Sequence, residues 1–308
     1  MPGKRRPPFP PNPSAHAVLV HNPTAGSGSH RSEALTSLLN EAGYSVTACS
    51  TKECVYKEAL KEQADLVLIA GGDGAVGRVV RCLPHYNTPV AILPLGTANN
   101  IARTLGIEGD ADRLIECVRR HVTRSLDVGI ASGPWGRRRF VEGVGVGLLA
   151  DWMSGGSNKP PAAERTKIGR DRLREALVNA APKVWNFSVD GHKLGEEVLF
   201  LEVLKARFIG AALPLGPSSA PGDQLLDVVY LLPEKRSEML SWLDGPEGNP
   251  PPVVVRQGRK VIVQWNGGHL HIDDRVQLTP EQPAQVKIKL EPTSLRVCAP
   301  TPEPSRID

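Results

Sequence analysis

The chain has 308 residues, of which 40% are hydrophobic and 23% charged, a length and balance that suit two ordinary globular domains and exclude a disordered chain. Its net charge of +4, from 37 Lys and Arg against 33 Asp and Glu, is too small to argue for nucleic acid and is compatible with phosphate ligands or anionic surfaces. Cys49, Cys54, Cys82, Cys117 and Cys298 form no CxxC pair, which disfavours a disulfide framework or zinc site and fits reduced thiols in a cytoplasm.

No apolar run reaches the ~18 residues of a membrane helix. Met1–Ser14 is basic and then proline-rich, without the apolar core of a secretory signal. It reads as a disordered tail, as do residues 301–308. From Ala17 the pattern alternates. Ala17–His21, Tyr44–Cys49, Asp65–Ala70 and Pro89–Leu93 read as strands. Between them, a pattern carrying Leu35, Leu38 and Leu39, then Lys52–Gln63, Ala75–Leu83, Ala98–Leu105 and Asp110–Arg119 read as helices. Such βα alternation predicts a parallel sheet covered on both faces, with the loops after the strands gathered along one edge.

The second half changes character. Ser125–Ile130, Arg138–Val144, Val184–Asp190, Val198–Leu204, Leu225–Leu232, Val253–Val255, Arg259–Gln264, His269–Ile272 and Gln285–Leu290 are short strand-like runs split by Gly, Pro and Asp. A helix is predicted over Arg165–Ala180. This half reads as a β-sandwich. The expected organisation is therefore an α/β nucleotide-binding domain over 15–127, a hinge near Arg124–Asp127 and a β-rich substrate domain over 128–300.

The chemistry concentrates in the loops of the first half. Gly71–Gly74 (GGDG) lies between a buried strand and a helix. Glycine lets backbone N–H groups approach an anion, and the helix start favours negative charge. Alone, this is equally a tight turn with Asp73 capping the helix. Pro94–Asn100 (PLGTANN) repeats the arrangement one strand later, with the Thr97 hydroxyl and the amides of Asn99 and Asn100 as ligand donors. Asn22–Gly28 (NPTAGSG) follows the first strand. Three such loops on one sheet edge point to a phosphate-binding site. The chain has neither GxxxxGK[ST] nor a GxGxxG after its first strand, which disfavours P-loop NTPases and the standard dinucleotide fold.

NPTAGSG, GGDG and PLGTANNIAR, in this order, closely resemble the catalytic domain shared by diacylglycerol kinases, sphingosine kinases and bacterial lipid kinases. Leu199–Leu231 and His271–Gln282 resemble the family's later motifs. The resemblance implies a two-domain enzyme with its active site in an interdomain cleft. It implies ATP at Asn22, Thr51, Gly71, Gly72, Asp73, Gly74, Ala75, Gly77, Thr97 and Asn99. It also implies a structural Mg²⁺ on Ala220, Asp223 and Leu225, two of them through backbone carbonyls, and catalytic carboxylates at Asp73 and Asp273.

Several positions depart from the family pattern. Ala75 lacks a hydroxyl, Gly77 and Lys205 stand where Asn is usual, Asn100 where Asp is common, and Gln224 where Gly is usual. Arg275 replaces a Glu and cannot accept a proton. The expected function is an ATP- and Mg²⁺-dependent lipid kinase acting on the hydroxyl of a diacylglycerol-like or long-chain-base lipid. It would be cytoplasmic and peripheral at a membrane surface, would bind no nucleic acid, and has sandwich edges that permit a homodimer. The alternatives are an impaired family member that binds nucleotide or lipid, and an NAD kinase-like enzyme, which shares GGDG.

Overall fold

The computed structural model describes residues 15–26, 30–108, 111–155, 164–246, 248–277 and 279–300. The calls on residues 1–14 and 301–308, and the end of the NPTAGSG loop from Ser27 to Gly28, lie outside the described residues. The chain divides into two compact units. One comprises 1–96, 105–126 and 295–308, and the other comprises 97–104 and 127–294.

The first unit is built on a parallel sheet. Its elements are β1 (His16–His21), α1 (Ser32–Glu41), β2 (Ser45–Ser50), α2 (Val55–Ala59), β3 (Leu66–Gly71), α3 (Asp73–Cys82) and β4 (Val90–Pro94). After α4 (Asn100–Thr104), which belongs to the other unit, follow α5 (Ala111–Arg119) and β5 (Thr123–Leu126). Strand β3, LVLIAG, is buried at every position, as expected of a strand covered on both faces. Helices α1 and α5 pack Leu35, Leu39, Leu114, Ile115 and Val118 with Ala17, Leu19, Leu66 and Leu68. The alternate residues Val18, Val20, Val67 and Ile69 are also buried, so period-two side chains fill both faces.

The sheet order is β2, β1, β3, β4, then the chain's last strand (Leu295–Cys298), then β5. That last strand runs parallel to β4 and antiparallel to β5. It corrects the expected single boundary at residue 127. Leu295, Val297 and Cys298 are apolar and buried, and they complete the first unit's sheet.

The second unit is the expected sandwich. Its elements are β6 (Gly129–Gly133), β7 (Gly136–Phe140), β8 (Gly143–Gly147), α6 (Leu148–Ser154), α7 (Arg165–Asn179), β9 (Lys183–Val189), β10 (His192–Val198), β11 (Phe200–Leu204) and β12 (Leu226–Leu231). Then come α8 (Arg236–Asp244), β13 (Val254–Gly258), β14 (Lys260–Trp265), β15 (Leu270–Ile272), β16 (Arg275–Gln277) and β17 (Ala284–Leu290), which makes the last strand β18. One sheet has the order β10-β9-β14-β17-β6-β7 and the other β13-β12-β11-β8-β15-β16. Phe140, Trp185, Phe187, Val203, Tyr230 and Trp265 share the core between them.

Three runs read as single strands each divide into two. Ser125–Ile130 contains the end of β5 and the start of β6, and at the break Asp127 donates its N–H to the Pro221 carbonyl. Arg138–Val144 breaks at Val141 and Glu142, whose N–H groups turn to the Asp273 carboxylate instead of a ladder partner. Val198–Leu204 breaks at Leu199, where the chain passes from β10 to β11. In the first two cases the chain changes sheets where a loop carbonyl or a side chain satisfies the backbone, and at Leu199 the N–H goes to the Leu231 carbonyl at the end of β12.

Candidate functional site

In the first unit the candidate ligand-binding loops of the parallel sheet edge lie at the carboxyl ends of β1, β2 and β3. The strand order reverses direction there, since β1 lies between β2 and β3, and open α/β sheets bind ligands outside such a point. Asn22 follows β1 and donates its N–H to the Ala70 carbonyl at 2.8 Å. Its Oδ1 accepts from the Thr24 hydroxyl at 3.0 Å and the Thr24 N–H at 3.3 Å, fixing the loop as an Asx turn.

Gly71 ends β3, and Gly72 is the extended residue that starts α3. A Cβ added at Gly71 would lie 2.7 Å from the Cβ of Ala75 and 3.4 Å from that of Asn22. Only glycine lets the turn close this tightly. Asp73 and Gly74 occupy the first turn of α3, and Ala75 and Gly77 are buried within that helix. Asp73 sits where the positive end of the helix favours a carboxylate or a phosphate.

Thr51 stands just beyond β2, and its N–H is donated to the His21 carbonyl at 2.9 Å. The residue is 6% exposed, and its Oγ1 is buried without a hydrogen-bond partner. Leaving a buried hydroxyl unsatisfied costs about 1–3 kcal/mol. The residue follows β2, the strand next to β1 in the sheet. The structure therefore brings Asn22, Thr51 and Gly71–Gly74 to one sheet edge. Thr97 and Asn99 belong to the segment 97–104 of the other unit. Asn99 has φ +50°, a left-handed conformation that Asn tolerates.

In the second unit Asp273 is 5% exposed. Its Oδ1 accepts from the N–H groups of Glu142 at 2.8 Å, Val141 at 3.1 Å and Gly143 at 3.4 Å. These donors hold the carboxylate in one orientation and favour its charged form. Asp274 and Arg275 are exposed. Asn100 is 2% exposed and donates from Nδ2 to Glu142 Oε2 at 2.9 Å and to the Gly210 carbonyl at 3.2 Å. Glu142 was not singled out from sequence. Its carboxylate is the acceptor that Asn100 meets.

The two alternating histidines of β15 and its approach find different partners. His271 Nε2 lies 2.8 Å from Glu202 Oε2, with both side chains fully buried. Burial opposes the charged imidazole, yet the Glu202 carboxylate outweighs it and raises the His271 pKa. His269 instead meets Asp151 at the surface, at 2.7 Å, and among the described residues no cluster of His, Cys, Asp and Glu could hold a metal ion. Of the basic residues, Arg78 donates to the Gly74 carbonyl, Arg103 to the Ala98 carbonyl, and Arg139 pairs with Glu291.

The three positions expected to hold Mg²⁺ do converge. The Ala220 carbonyl, Asp223 Oδ1 and the Leu225 carbonyl all face one point, but the Lys205 Nζ occupies it, at 2.7, 2.5 and 2.9 Å. Oxygen donors of this kind suit a hard cation. With an ammonium already at their centre they do not fit a metal, and no step of the chemistry is assigned to a metal there.

Comparison with known proteins agrees with this geometry. Residues 16–131 match the diacylglycerol kinase catalytic domain. A Bacillus subtilis (strain 168) diacylglycerol kinase is 27% identical over 239 residues, covering 73% of this chain and 76% of that protein. The crystal structure of a diacylglycerol kinase from Bacillus anthracis str. Sterne superposes with a TM-score of 0.72 at 18% identity, over 92% of this chain and 97% of that one. Yeast NADH kinase complexed with NADH gives 0.55 at 9% identity, over 94% and 84%, a likeness of fold alone. Residues 16–131 thus match the diacylglycerol kinase catalytic domain, and the chain as a whole is similar to bacterial diacylglycerol kinases in sequence and fold.

Proposed function

We propose that the chain is an ATP- and Mg²⁺-dependent lipid kinase that transfers the γ-phosphate to the hydroxyl of a diacylglycerol-like or long-chain-base lipid. The observation that carries the nucleotide half is the sheet edge of the first unit. There the Gly71–Gly74 turn opens α3, the Asn22 turn packs beside it, and the buried Thr51 hydroxyl has no partner. These groups suit a polyphosphate: backbone N–H groups and a helix start approach it closely, and a hydroxyl donates to it. Thr97 and Asn99 are the proposed further contacts.

Phosphoryl transfer needs positioning, charge stabilisation and a group to take the acceptor's proton. Asp73 and Asp273 are the proposed carboxylates for that proton. Asp273 is oriented by three backbone N–H donors, and Asp73 stands at the start of α3. Mg²⁺ accompanying the nucleotide neutralises charge on the phosphates. The lipid would be met at a membrane surface on the cytoplasmic side, and the proposed partners include no nucleic acid; no described helix is long and apolar enough to cross a membrane.

The test is transfer of labelled phosphate from ATP to diacylglycerols and long-chain bases in mixed micelles. Asp73→Asn and Asp273→Asn would be compared with the parent, with circular dichroism to confirm folding. The expected result is a labelled lipid whose formation falls about 10²–10⁴-fold in at least one variant, the range of a lost general base. ATP binding without product from any lipid would overturn the kinase reading. That outcome would favour a nucleotide- or lipid-binding role, for which the exposed Arg275 in place of a Glu is the supporting observation. NAD, included among the acceptors, tests the NAD kinase-like alternative.

A further inference from the structure

Lys205 is 0% exposed and among the largest fully buried side chains. Its ammonium has three protons to donate. The acceptors at hydrogen-bond distance are the Ala220 carbonyl, Asp223 Oδ1 and the Leu225 carbonyl. A fourth oxygen, Asp127 Oδ2, forms an ion pair at 3.1 Å, with both partners fully buried. The carboxylates are themselves held in place. Asp223 Oδ1 accepts the Leu225 N–H at 3.0 Å. Asp127 accepts the Gln224 N–H at 2.8 Å, the Ser294 hydroxyl at 2.6 Å and the Gln224 side-chain amide. Gln224, with φ +59°, takes the left-handed turn that lets both its N–H and its side chain reach Asp127.

This is the donor set of a hard-cation site, two carbonyls and two carboxylates, with an ammonium at its centre. The separations of 2.7 and 2.9 Å to the two carbonyls are those of charge-assisted hydrogen bonds, longer than the ~2.0–2.1 Å of Mg²⁺–oxygen contacts. A metal at this point would coincide with Nζ.

We infer that Lys205 is the resident cation of the 219–225 loop. It stands where the family resemblance puts a divalent metal, so this chain needs no metal there, and removing its side chain uncovers a divalent-cation site. The carboxylates and carbonyls that remain would be an anionic pocket with no internal counter-ion. A buried carboxylate left unpaired is strongly unfavourable, and Mg²⁺ or Ca²⁺ entering the space would relieve it.

The experiment uses the nucleotide-free full chain and thermal unfolding, so it reads nothing from catalysis. Wild type, Lys205→Ala, Lys205→Met and the Lys205→Ala/Asp223→Ala double variant are melted in EDTA and in rising Mg²⁺ or Ca²⁺. The wild type is expected to keep one Tm throughout. Lys205→Ala is expected to lose about 10 °C in EDTA, as breaking a buried ion pair in a chain of this size implies, and to regain most of it saturably at about 10 mM of either ion. Lys205→Met fills the space without charge and should be destabilised without recovery. The double variant should not recover either.

A wild-type Tm that falls in EDTA and returns with Mg²⁺ would overturn the inference. So would a wild type that binds a stoichiometric divalent ion lost in Asp223→Ala. A folded Lys205→Ala indifferent to both ions, or one that folds in neither EDTA nor metal, would also sink the uncovered site.

Discussion

At Thr51, the buried and unpartnered hydroxyl separates a binding role from a folding role. In the nucleotide-free protein the hydroxyl gives nothing to stability, because it is desolvated without a bond in return. Thr51→Val keeps the β-branched shape and removes the polar atom. The expected outcome is a nucleotide-free Tm equal to or above wild type, together with a dissociation constant for ATP raised about 2–10-fold, the worth of one hydrogen bond. Isothermal titration beside a thermal melt checks both halves. A variant that binds ATP as tightly as wild type would remove Thr51 from the site. The resemblance was enough to select Thr51, Asn22 and the GGDG turn, because short glycine-rich strings are read locally. Lys205, Glu142 and the His271–Glu202 pair were not legible as a site, because their partners lie 15, 42 and 69 positions away. The departures at Asn100, Lys205 and Gln224 looked like degeneration one at a time. In space each has a partner: Asn100 meets Glu142, while Lys205 and Gln224 share Asp127.

One sheet of the sandwich is built around a charge. Glu202 on β11 faces Gly145 on β8, and Gly145 faces His271 on β15. A Cβ at Gly145 would lie 2.0 Å from Glu202 Oε1, so the glycine opens the space through which the carboxylate reaches across a strand to the imidazole. Because the folded His271 pKa is raised, its stabilising effect is complete below the unfolded value of ~6.5. It is lost as pH rises through the folded value. Wild-type stability in urea is therefore expected to decline as pH is raised above about 6.5, and Glu202→Gln should flatten that part of the profile. An unchanged pH profile in Glu202→Gln would show that the pair does not carry the dependence. Gly145→Ala should destabilise by about 1–3 kcal/mol, the usual cost of overpacking, measured in the same titrations.

Elements differed in how clearly the sequence announced them. The β1–β4 alternation was legible because each apolar run ends in glycine, proline or a helix start. Strand β10, HKLGEEV, was not, because it is an edge strand with mostly exposed polar positions. Helix α8 was missed for a related reason, since it fully buries only Met239. Two of the merged strands failed where backbone N–H groups turn to Asp273 or to a loop carbonyl, a switch that side-chain periodicity does not record.

For the whole chain, the lesson lies in its end. Leu295–Cys298 follows the sandwich in sequence, and a linear reading assigned it there. It instead inserts between β4 and β5 of the first unit's sheet, and Ala299 donates its N–H to the Val122 carbonyl. Leu295, Val297, Cys298 and Ala299 are at most 3% exposed, and burial pushes the Cys298 thiol pKa up to about 12, so this thiol acts as a core side chain. The strand is thus an interior member of the sheet that carries the candidate nucleotide site, although it lies more than 200 residues from Gly71–Gly74. Ending the chain at Ser294 would leave β4 and β5 each with an open ladder and expose the apolar cluster that Cys298 helps to fill. Open apolar edges of this kind favour aggregation. The chain truncated after Ser294 is therefore expected to lose ATP binding and the cooperative unfolding of the first unit, while the sandwich, all of whose strands precede residue 295, retains protection from proteolysis. Limited digestion with mass mapping, alongside ATP titration, measures both. If the truncated chain still bound ATP with wild-type affinity, β18 would be dispensable to the site, and the first unit would stand on residues 1–126 alone.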